Sequence, residues 1–327
     1  MGRKRRSTDD TDGVLVVDKP AGPTSHDIVQ TVRRVAGQKR VGHTGTLDPA
    51  ATGVLVVCLG RATRLVQYLQ AGQKTYAAQM VLGVVTSSQD ADGEVLARRS
   101  AAGLDEQRVC EVLTRFQGEI DQVPPMVSAV RVGGERLHEI ARRGEEVERD
   151  ARRVTIHDLM LDAYDARTDP DHPRVSFLVT CSAGTYVRTL AHDIGEMLGV
   201  GASLTSLRRV ANGPFGVEDA HDLDTIRAAG ESGDLAGLLL SPEAAVARAL
   251  PTVEVDDPDL ALAMAQGKPA LSAQGREGTY AVTFGERVLG IYRDRGDRAR
   301  SELVWTRPEE LAPSAPADPP EAEGTRT

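Results

Sequence analysis

The sequence predicts an α/β (α+β) fold: a mixed, mainly antiparallel sheet with flanking helices, followed by a small β-rich module. Three observations lead there. Strand-like runs are mingled with helix-like ones, but without the regular βαβ spacing of a wound parallel sheet. Val54-Leu55-Val56-Val57-Cys58-Leu59 is a continuous apolar run bounded by Gly53 and Gly60, which reads as a buried strand. From Pro251 to Trp305 the pattern changes to one short helix (260–266), turns at Lys268-Pro269 and Gly275, and strand-like runs over 279–284 and 288–292. A chain of 327 residues suits one large domain plus a smaller one.

Taken in order, residues 1–12 form a basic arm with Arg3, Lys4, Arg5 and Arg6, expected to be disordered and to touch phosphate. Gly13 to Val17 reads as a strand, and Asp18-Lys19-Pro20-Ala21-Gly22-Pro23 as a rigid turn. Thr24-Ser25 offers an N-cap to a helix carrying Ile28, Val29, Val32 and Val35, ended by Gly37. After the central strand come a short helix over 63–69 and a strand over 74–83, in which Tyr76 and Ala78 share a face. Residues 86–93 are a polar turn and 104–116 a helix. The segment from Pro124 to Arg153 is dense in charge of both signs, the pattern of an ion-paired surface. Strands follow over 154–163 and 175–181, then a turn into a helix with Val187, Leu190, Ile194 and Leu198. Arg188 stands early in that helix, where the macrodipole disfavours a cation, and a carboxylate partner would account for it. Residues 307–327 are acidic, Pro- and Ala-rich and expected to be disordered.

Composition narrows the class. The hydrophobic content of 40% and charged content of 27% are ordinary for a soluble protein. No stretch approaches the ~20 apolar residues of a membrane span. Three cysteines without C-x-x-C spacing argue against zinc and against a disulfide framework, and fit a reducing cytosol; each reads as a buried structural thiol. The net charge of −9 taken alone argues against a nucleic-acid partner, but part of it sits in the C-terminal tail, and binding depends on local patches.

The chemistry is carried by Arg40 to Thr63, RVGHTGTLDPAATGVLVVCLGRAT. Its Gly-rich polar run leads through Leu47-Asp48-Pro49 into the buried strand, so Asp48 stands in an accessible loop above a rigid scaffold. The plainer reading is a turn, since Asp-Pro initiates turns and Asp bonds its own backbone. The loop is no Walker A loop, because no Gly-Lys-Ser/Thr follows its glycines. This stretch resembles the catalytic loop of the bacterial tRNA pseudouridine-55 synthases, the TruB family. Ser182-Ala183-Gly184-Thr185-Tyr186-Val187-Arg188-Thr189-Leu190 resembles that family's Gly-Thr-Tyr-x-Arg-Thr-Leu motif, and Leu204 to Arg209 its Leu-x-x-Leu-Arg-Arg segment.

The resemblance spans about residues 13–215 and implies the following. Residues 13–248 form a pseudouridine-synthase-type catalytic domain with an RNA-gripping insertion at about 124–153, and 249–306 form a PUA-like RNA-binding module. The reaction isomerises uridine 55 in the T-loop of tRNA, with the base flipped out of its stack. Asp48 is the catalytic carboxylate, Tyr76 stacks on the base, and Arg188 pairs with Asp48, keeping it ionised. Arg188 itself is expected near solvent when RNA is absent. Tyr186 and Leu207 bound the base pocket, His43 helps hold the loop open, and Lys19 belongs with the substrate-binding set as a support beneath the site. Asp48 could attack ribose C1′, add to uracil C6 or remove the C2′ proton. No cofactor and no metal are expected; the T-stem-loop of tRNA is the partner, and a cytoplasmic monomer is expected. Two other classes compete. A tRNA-binding folding factor, acting alone or alongside catalysis, predicts a damaged pocket. A glycosidic hydrolase requires a second carboxylate, which the motifs do not offer.

Overall fold

The structure, a computed structural model, describes residues 11–311 except Ala129 and Glu146, and except the side chains of Arg131, Arg136, His138 and Arg142. The expectations for the Arg3–Arg6 arm and for the tail beyond Leu311 fall outside it. The chain divides into two compact units, residues 1–242 and 243–327.

The first unit is built on a nine-stranded sheet. Seven strands run in the order Gly13–Lys19, Thr52–Leu59, Ala202–Asn212, Lys74–Leu82, Arg174–Cys181, Arg152–Asp165, Gly118–Gln122; Val41–His43 pairs with Thr52–Leu59, and Phe215–Gly216 with Ala202–Asn212. Every pairing is antiparallel except one. Ala202–Asn212 meets Thr52–Leu59 in parallel over two residue pairs, Arg208↔Thr52 and Arg209↔Gly53. The sheet is therefore mixed and mainly antiparallel, as expected.

The burial of these strands follows their residues. In Thr52–Leu59 everything from Gly53 onward is buried, the behaviour of a continuous apolar run. Lys74–Leu82 alternates strictly, so Lys74, Tyr76, Ala78, Met80 and Leu82 share its buried face. The helix Ser25–Ala36 is capped as its sequence suggests. The Thr24 hydroxyl accepts from Asp27 N at 3.1 Å, and Gly37 closes the helix at φ 66. Ile28, Val29 and Val32 then join the same core as Leu190, Ala191 and Ile194 of the helix Val187–Met197.

Several elements escape the sequence reading, among them the helices Leu223–Ser232 and Pro242–Ala249, and two strands of the sheet show why. Ala202–Asn212, the strand between Thr52–Leu59 and Lys74–Leu82, carries polar side chains at fully buried positions: Ser203, Arg209 and Asn212 are 2%, 1% and 0% exposed. Those residues hide its period. Gly118–Gln122, an edge strand, has one apolar residue to declare it. One cysteine also departs from expectation. Cys58 and Cys181 are buried, but Cys110 faces solvent from the outer side of the helix Glu106–Thr114.

The second unit is the expected β-rich module. Four strands run in the order Thr252–Glu254, Thr279–Phe284, Arg287–Arg295, Arg298–Val304, around a core of its own including Met264, Tyr280, Val282, Leu289 and Tyr292. Among the described residues no helix is long and apolar enough to cross a membrane.

Candidate active site

The loop between Val41–His43 and Thr52–Leu59 is fastened from below. Lys19 is fully buried, and its ammonium donates to the carbonyls of Pro20 (3.0 Å), Pro49 (3.0 Å) and Ala51 (2.6 Å). Ser25 Oγ donates to Leu47 O at 3.0 Å and accepts from Leu47 N at 2.8 Å. Arg209, 1% exposed, donates to Val54 O (2.7 Å), Thr46 O (3.4 Å) and Gly45 O (3.1 Å). Asn212 Nδ2 reaches Thr44 Oγ1 at 2.9 Å. Gly53 is required at the junction: at φ +97, a Cβ there would stand 2.2 Å from Arg209 O.

Held this way, Asp48 does form a turn, its carbonyl accepting from Ala51 N at 3.1 Å. Among the described residues, however, its side chain bonds no backbone. Asp48 Oδ2 lies 3.2 Å from Arg188 Nη2. Arg188 is 5% exposed rather than near solvent, because the helix Val187–Met197 begins inside the core and the insertion covers it. Its Nη2 also donates to Val127 O at 2.7 Å and its Nη1 to Asp90 Oδ2 at 3.3 Å.

Asp90 is the residue that sequence reasoning missed. It sits in the 86–93 turn, which was given no role. One signal stands in the sequence, the acidic pair Asp90 and Asp92; the structure adds another, Gln89 at φ 65, the one described non-glycine residue with positive φ. Asp90 divides its labour. Oδ2 holds Arg188, while Oδ1 accepts from Asp92 N at 3.2 Å and from the Ser88 hydroxyl. A second carboxylate thus stands close to Asp48, but both its oxygens are occupied, which leaves it poorly placed to activate water for hydrolysis.

The electrostatics differ from the expected direction at Asp48. Although 47% of its side-chain surface remains open, protein crowds it elsewhere. This desolvation raises its pKa; Arg188 opposes the rise, Asp90 adds to it, Lys19 opposes and Asp92 adds. Arg188 does favour the charged form, as expected, but burial outweighs it. The open face and the Arg188 ion pair both favour the charged form.

A cavity of about 300 Å³ opens beside Asp48, and Tyr76, Tyr186, Arg188 and Leu207 line it too. Tyr76 is 7% exposed; burial pushes its phenol up, against the pull of Arg209, which bonds its hydroxyl. The Tyr186 ring centroid lies 6.0 Å from the Arg188 guanidinium carbon. Lys74 and Arg209, also unassigned by sequence, complete the inner wall. A second cavity of about 320 Å³ shares Asp48 and Leu207 and continues toward Asp90, Asp92 and Arg208.

Two predicted residues stand outside these cavities. Lys19, grouped with the substrate-binding set, spends its ammonium on three loop carbonyls and cannot reach a ligand; its place is support, and burial lowers it to about 8. His43 ends its strand with Nδ1 accepting from Gly45 N at 3.2 Å, and burial lowers its pKa. Among the described residues no cluster of His, Cys, Asp and Glu could hold a metal.

Sheet and cleft are those of a pseudouridylate synthase. The sequence model described as "TruB family pseudouridylate synthase (N terminal domain)" matches residues 33–187, and "tRNA pseudouridylate synthase B C-terminal domain" matches 188–247. The chain is 51% identical over 243 residues to tRNA pseudouridine synthase B of Symbiobacterium thermophilum, covering 74% of this chain and 78% of that protein. It is 42% identical over 293 residues to the protein of the same name from Corynebacterium aurimucosum, covering 89% and 95%. Among solved structures, a chain of a Cbf5-Nop10-Gar1 complex superposes with TM-score 0.70 at 27% identity, covering 91% of this chain and 86% of that one. A chain of an H/ACA RNP bound to a substrate RNA containing 2'-deoxyuridine gives 0.68 at 26%, covering 92% and 88%. The chain belongs to the TruB family of pseudouridylate synthases.

Proposed function

We propose that this protein isomerises a uridine of tRNA to pseudouridine, the target being position 55 in the T-loop. The observation that carries the reading is the Asp48–Arg188 pair, 3.2 Å apart at the mouth of a base-sized cavity walled by Tyr76, Tyr186 and Leu207. The target nucleotide leaves its stack at a cost of a few kcal/mol. Base–aromatic contact with Tyr76 and the Leu207 wall offset this, stacking being worth ~1–3 kcal/mol per base. Asp48, oriented by Arg188, drives cleavage of the C1′–N1 bond by one of three routes: attack at C1′, addition to C6 or removal of the C2′ proton. The uracil turns, C5 joins C1′, and the C5 proton is lost. Lys19 and Arg209 keep the loop in register beneath the reacting atoms. The residues ask for no cofactor.

RNA is gripped by the insertion at 124–153 and by the second unit as a PUA-like module, with 13–248 as the catalytic domain. Supporting this, Arg295 stands opposite Arg298, both exposed on one face of a hairpin in the second unit; Arg300 shares that face opposite Arg293, which pairs with Glu302 at 2.7 Å. Like charges opposed across strands are unfavourable without an anion. The protein acts as a cytoplasmic monomer on the T-stem-loop.

The test is incubation of purified protein with an unmodified tRNA transcript, followed by site-resolved mapping. Pseudouridine at position 55 with unchanged nucleoside mass supports the reading. Released uracil, or no product at any uridine, refutes it.

A further inference from the structure

Lys74 is a buried cation that the reaction above leaves unused. It opens the strand Lys74–Leu82, on the same face as Tyr76 and two residues before it, and lines the cavity that Asp48 borders. It is 7% exposed. Its ammonium donates to Gln70 O at 3.1 Å and Gly72 O at 3.3 Å. An ammonium has three N–H groups. Among the described residues the third has no acceptor, and no carboxylate lies within ion-pair distance. Burial, and then the like charge of Arg209, lower its pKa to about 8, so it remains mostly charged at neutral pH. Arg209 is tied to the carbonyls of Val54, Thr46 and Gly45 and so is held to the loop. Lys74, on the cavity wall, keeps a hydrogen to give. A buried charge without a counter-ion is costly. Its position at the cavity wall makes sense if electron-rich oxygen arrives with the substrate.

We propose that Lys74 is a catalytic residue that donates its third N–H to a carbonyl oxygen of the uracil, stabilising the negative charge the base acquires during isomerisation. This rests on the proposed function. When the C1′–N1 bond breaks, its electron pair leaves with the base and spreads from N1 onto O2 and O4. The Lys74 hydrogen bond tightens as that charge grows. It relaxes once the C5 electron pair forms the new bond to C1′ and the C5 proton departs to a base. No proton leaves Lys74. Addition of Asp48 to C6 would place an enolate charge on the same carbonyl system, so the role is common to all three routes.

The experiment compares the parent protein with Lys74→Met and Lys74→Arg. Single-turnover rates and tRNA affinity are measured on a plain transcript and on transcripts carrying 2-thiouridine or 4-thiouridine at the target. Lys74→Met should slow the reaction about 10²–10³-fold, the usual loss for an oxyanion donor. Its tRNA affinity should change by less than about threefold, because the contact strengthens only as charge develops. Lys74→Arg, which keeps a charged donor, should recover about tenfold or more of that loss. Sulfur at the contacted position should slow the parent but add little in Lys74→Met, since the two changes remove one interaction. The proposal is overturned if Lys74→Met stays within about tenfold of the parent, if Lys74→Arg does no better than Lys74→Met, or if both thio effects persist undiminished in Lys74→Met. Should Lys74→Met fail to fold, the parent decides: no slowing by sulfur at either carbonyl position of the target uridine overturns the proposal. Absence of product from the parent itself would instead refute the proposed function.

Discussion

Replacing Asp90 by Asn probes the Arg188 clamp without touching Asp48. Asp90 serves three donors, Arg188 Nη1 through Oδ2 and both Asp92 N and the Ser88 hydroxyl through Oδ1. Asn has one oxygen, so the donors on one side must face an NH₂ group. A hydrogen bond to a charged group contributes ~1.5–3 kcal/mol and a neutral one ~0.5–1.5, so the exchange should cost about 1–2 kcal/mol. Asp90 is 20% exposed, which favours the lower part of that range. If Arg188 must be held in place for Asp48 to act, the single-turnover rate falls by about 5–30-fold. Asp90→Ala, which strands a buried guanidinium nitrogen at a cost of about 2–3 kcal/mol, falls by about 30–150-fold. A second readout separates clamping from mere turn-holding. Asp90 raises the pKa of Asp48, so its neutralisation should let Asp48 ionise more easily and move the acid limb of the pH–rate profile to lower pH. The assay is single-turnover pseudouridine formation on a tRNA transcript from pH 4.5 to 8, with circular dichroism as a check on folding. A parent-like rate together with an unmoved acid limb in Asp90→Asn would refute the argument.

Three further outcomes are expected. Asp48→Asn should abolish product formation while tRNA affinity changes by less than about threefold and the melting temperature by under about 3 °C, because Arg188 keeps Asp90 and Val127 as partners; an active variant ends the assignment. The sign agrees for stability: the folded-state pKa of Asp48 is raised, so its ionised form opposes folding at neutral pH, and its removal is not a net loss on that account. Gly53→Ala should lower stability by roughly 2–5 kcal/mol in urea titrations, through positive φ and the clash with Arg209 O; a shift under about 0.5 kcal/mol contradicts the close approach. Lys19 is lowered from 10.5 to about 8 on folding. Between those values the unfolded chain holds the proton and the folded one sheds it, so this group's contribution to stability rises with pH across that window. The stability of the parent relative to Lys19→Met, followed from pH 7.5 to 10, should therefore increase, and a flat or falling difference counts against a buried lysine.

How much of this was legible depended on whether a residue obeyed its own pattern. Thr24 and Gly37 bracket the first helix because capping chemistry is local, and the 54–59 run is a strand because nothing else buries six consecutive apolar residues so briefly. Asp48 and Arg188 could be paired across 140 positions only through motif resemblance. Ala202–Asn212 stayed hidden because its buried Ser203, Arg209 and Asn212 break the apolar alternation. Arg209 and Asn212 are buried because they bind the carbonyls and hydroxyl of a loop more than 150 residues earlier, a reason no local window contains. Asp90 and Lys74 were missed similarly: an acidic turn residue and a strand-opening lysine are ordinary on a surface, and only packing takes them inside.

The position of Ala202–Asn212 also bears on how the protein is made. It lies between Thr52–Leu59 and Lys74–Leu82, strands completed well over a hundred residues earlier. At ~5–20 residues per second, a ribosome takes about 6–26 s to travel from residue 82 to residue 212. Through that interval the two early strands have no neighbour between them, and their facing edges can recruit another chain. A nascent polypeptide halted at residue 200 already contains Asp48, Tyr76 and Arg188, yet lacks Leu207, Arg209 and the strand that closes the cavity. Catalytic competence therefore arrives abruptly and late, and until then the chain's greatest need is protection of an open sheet.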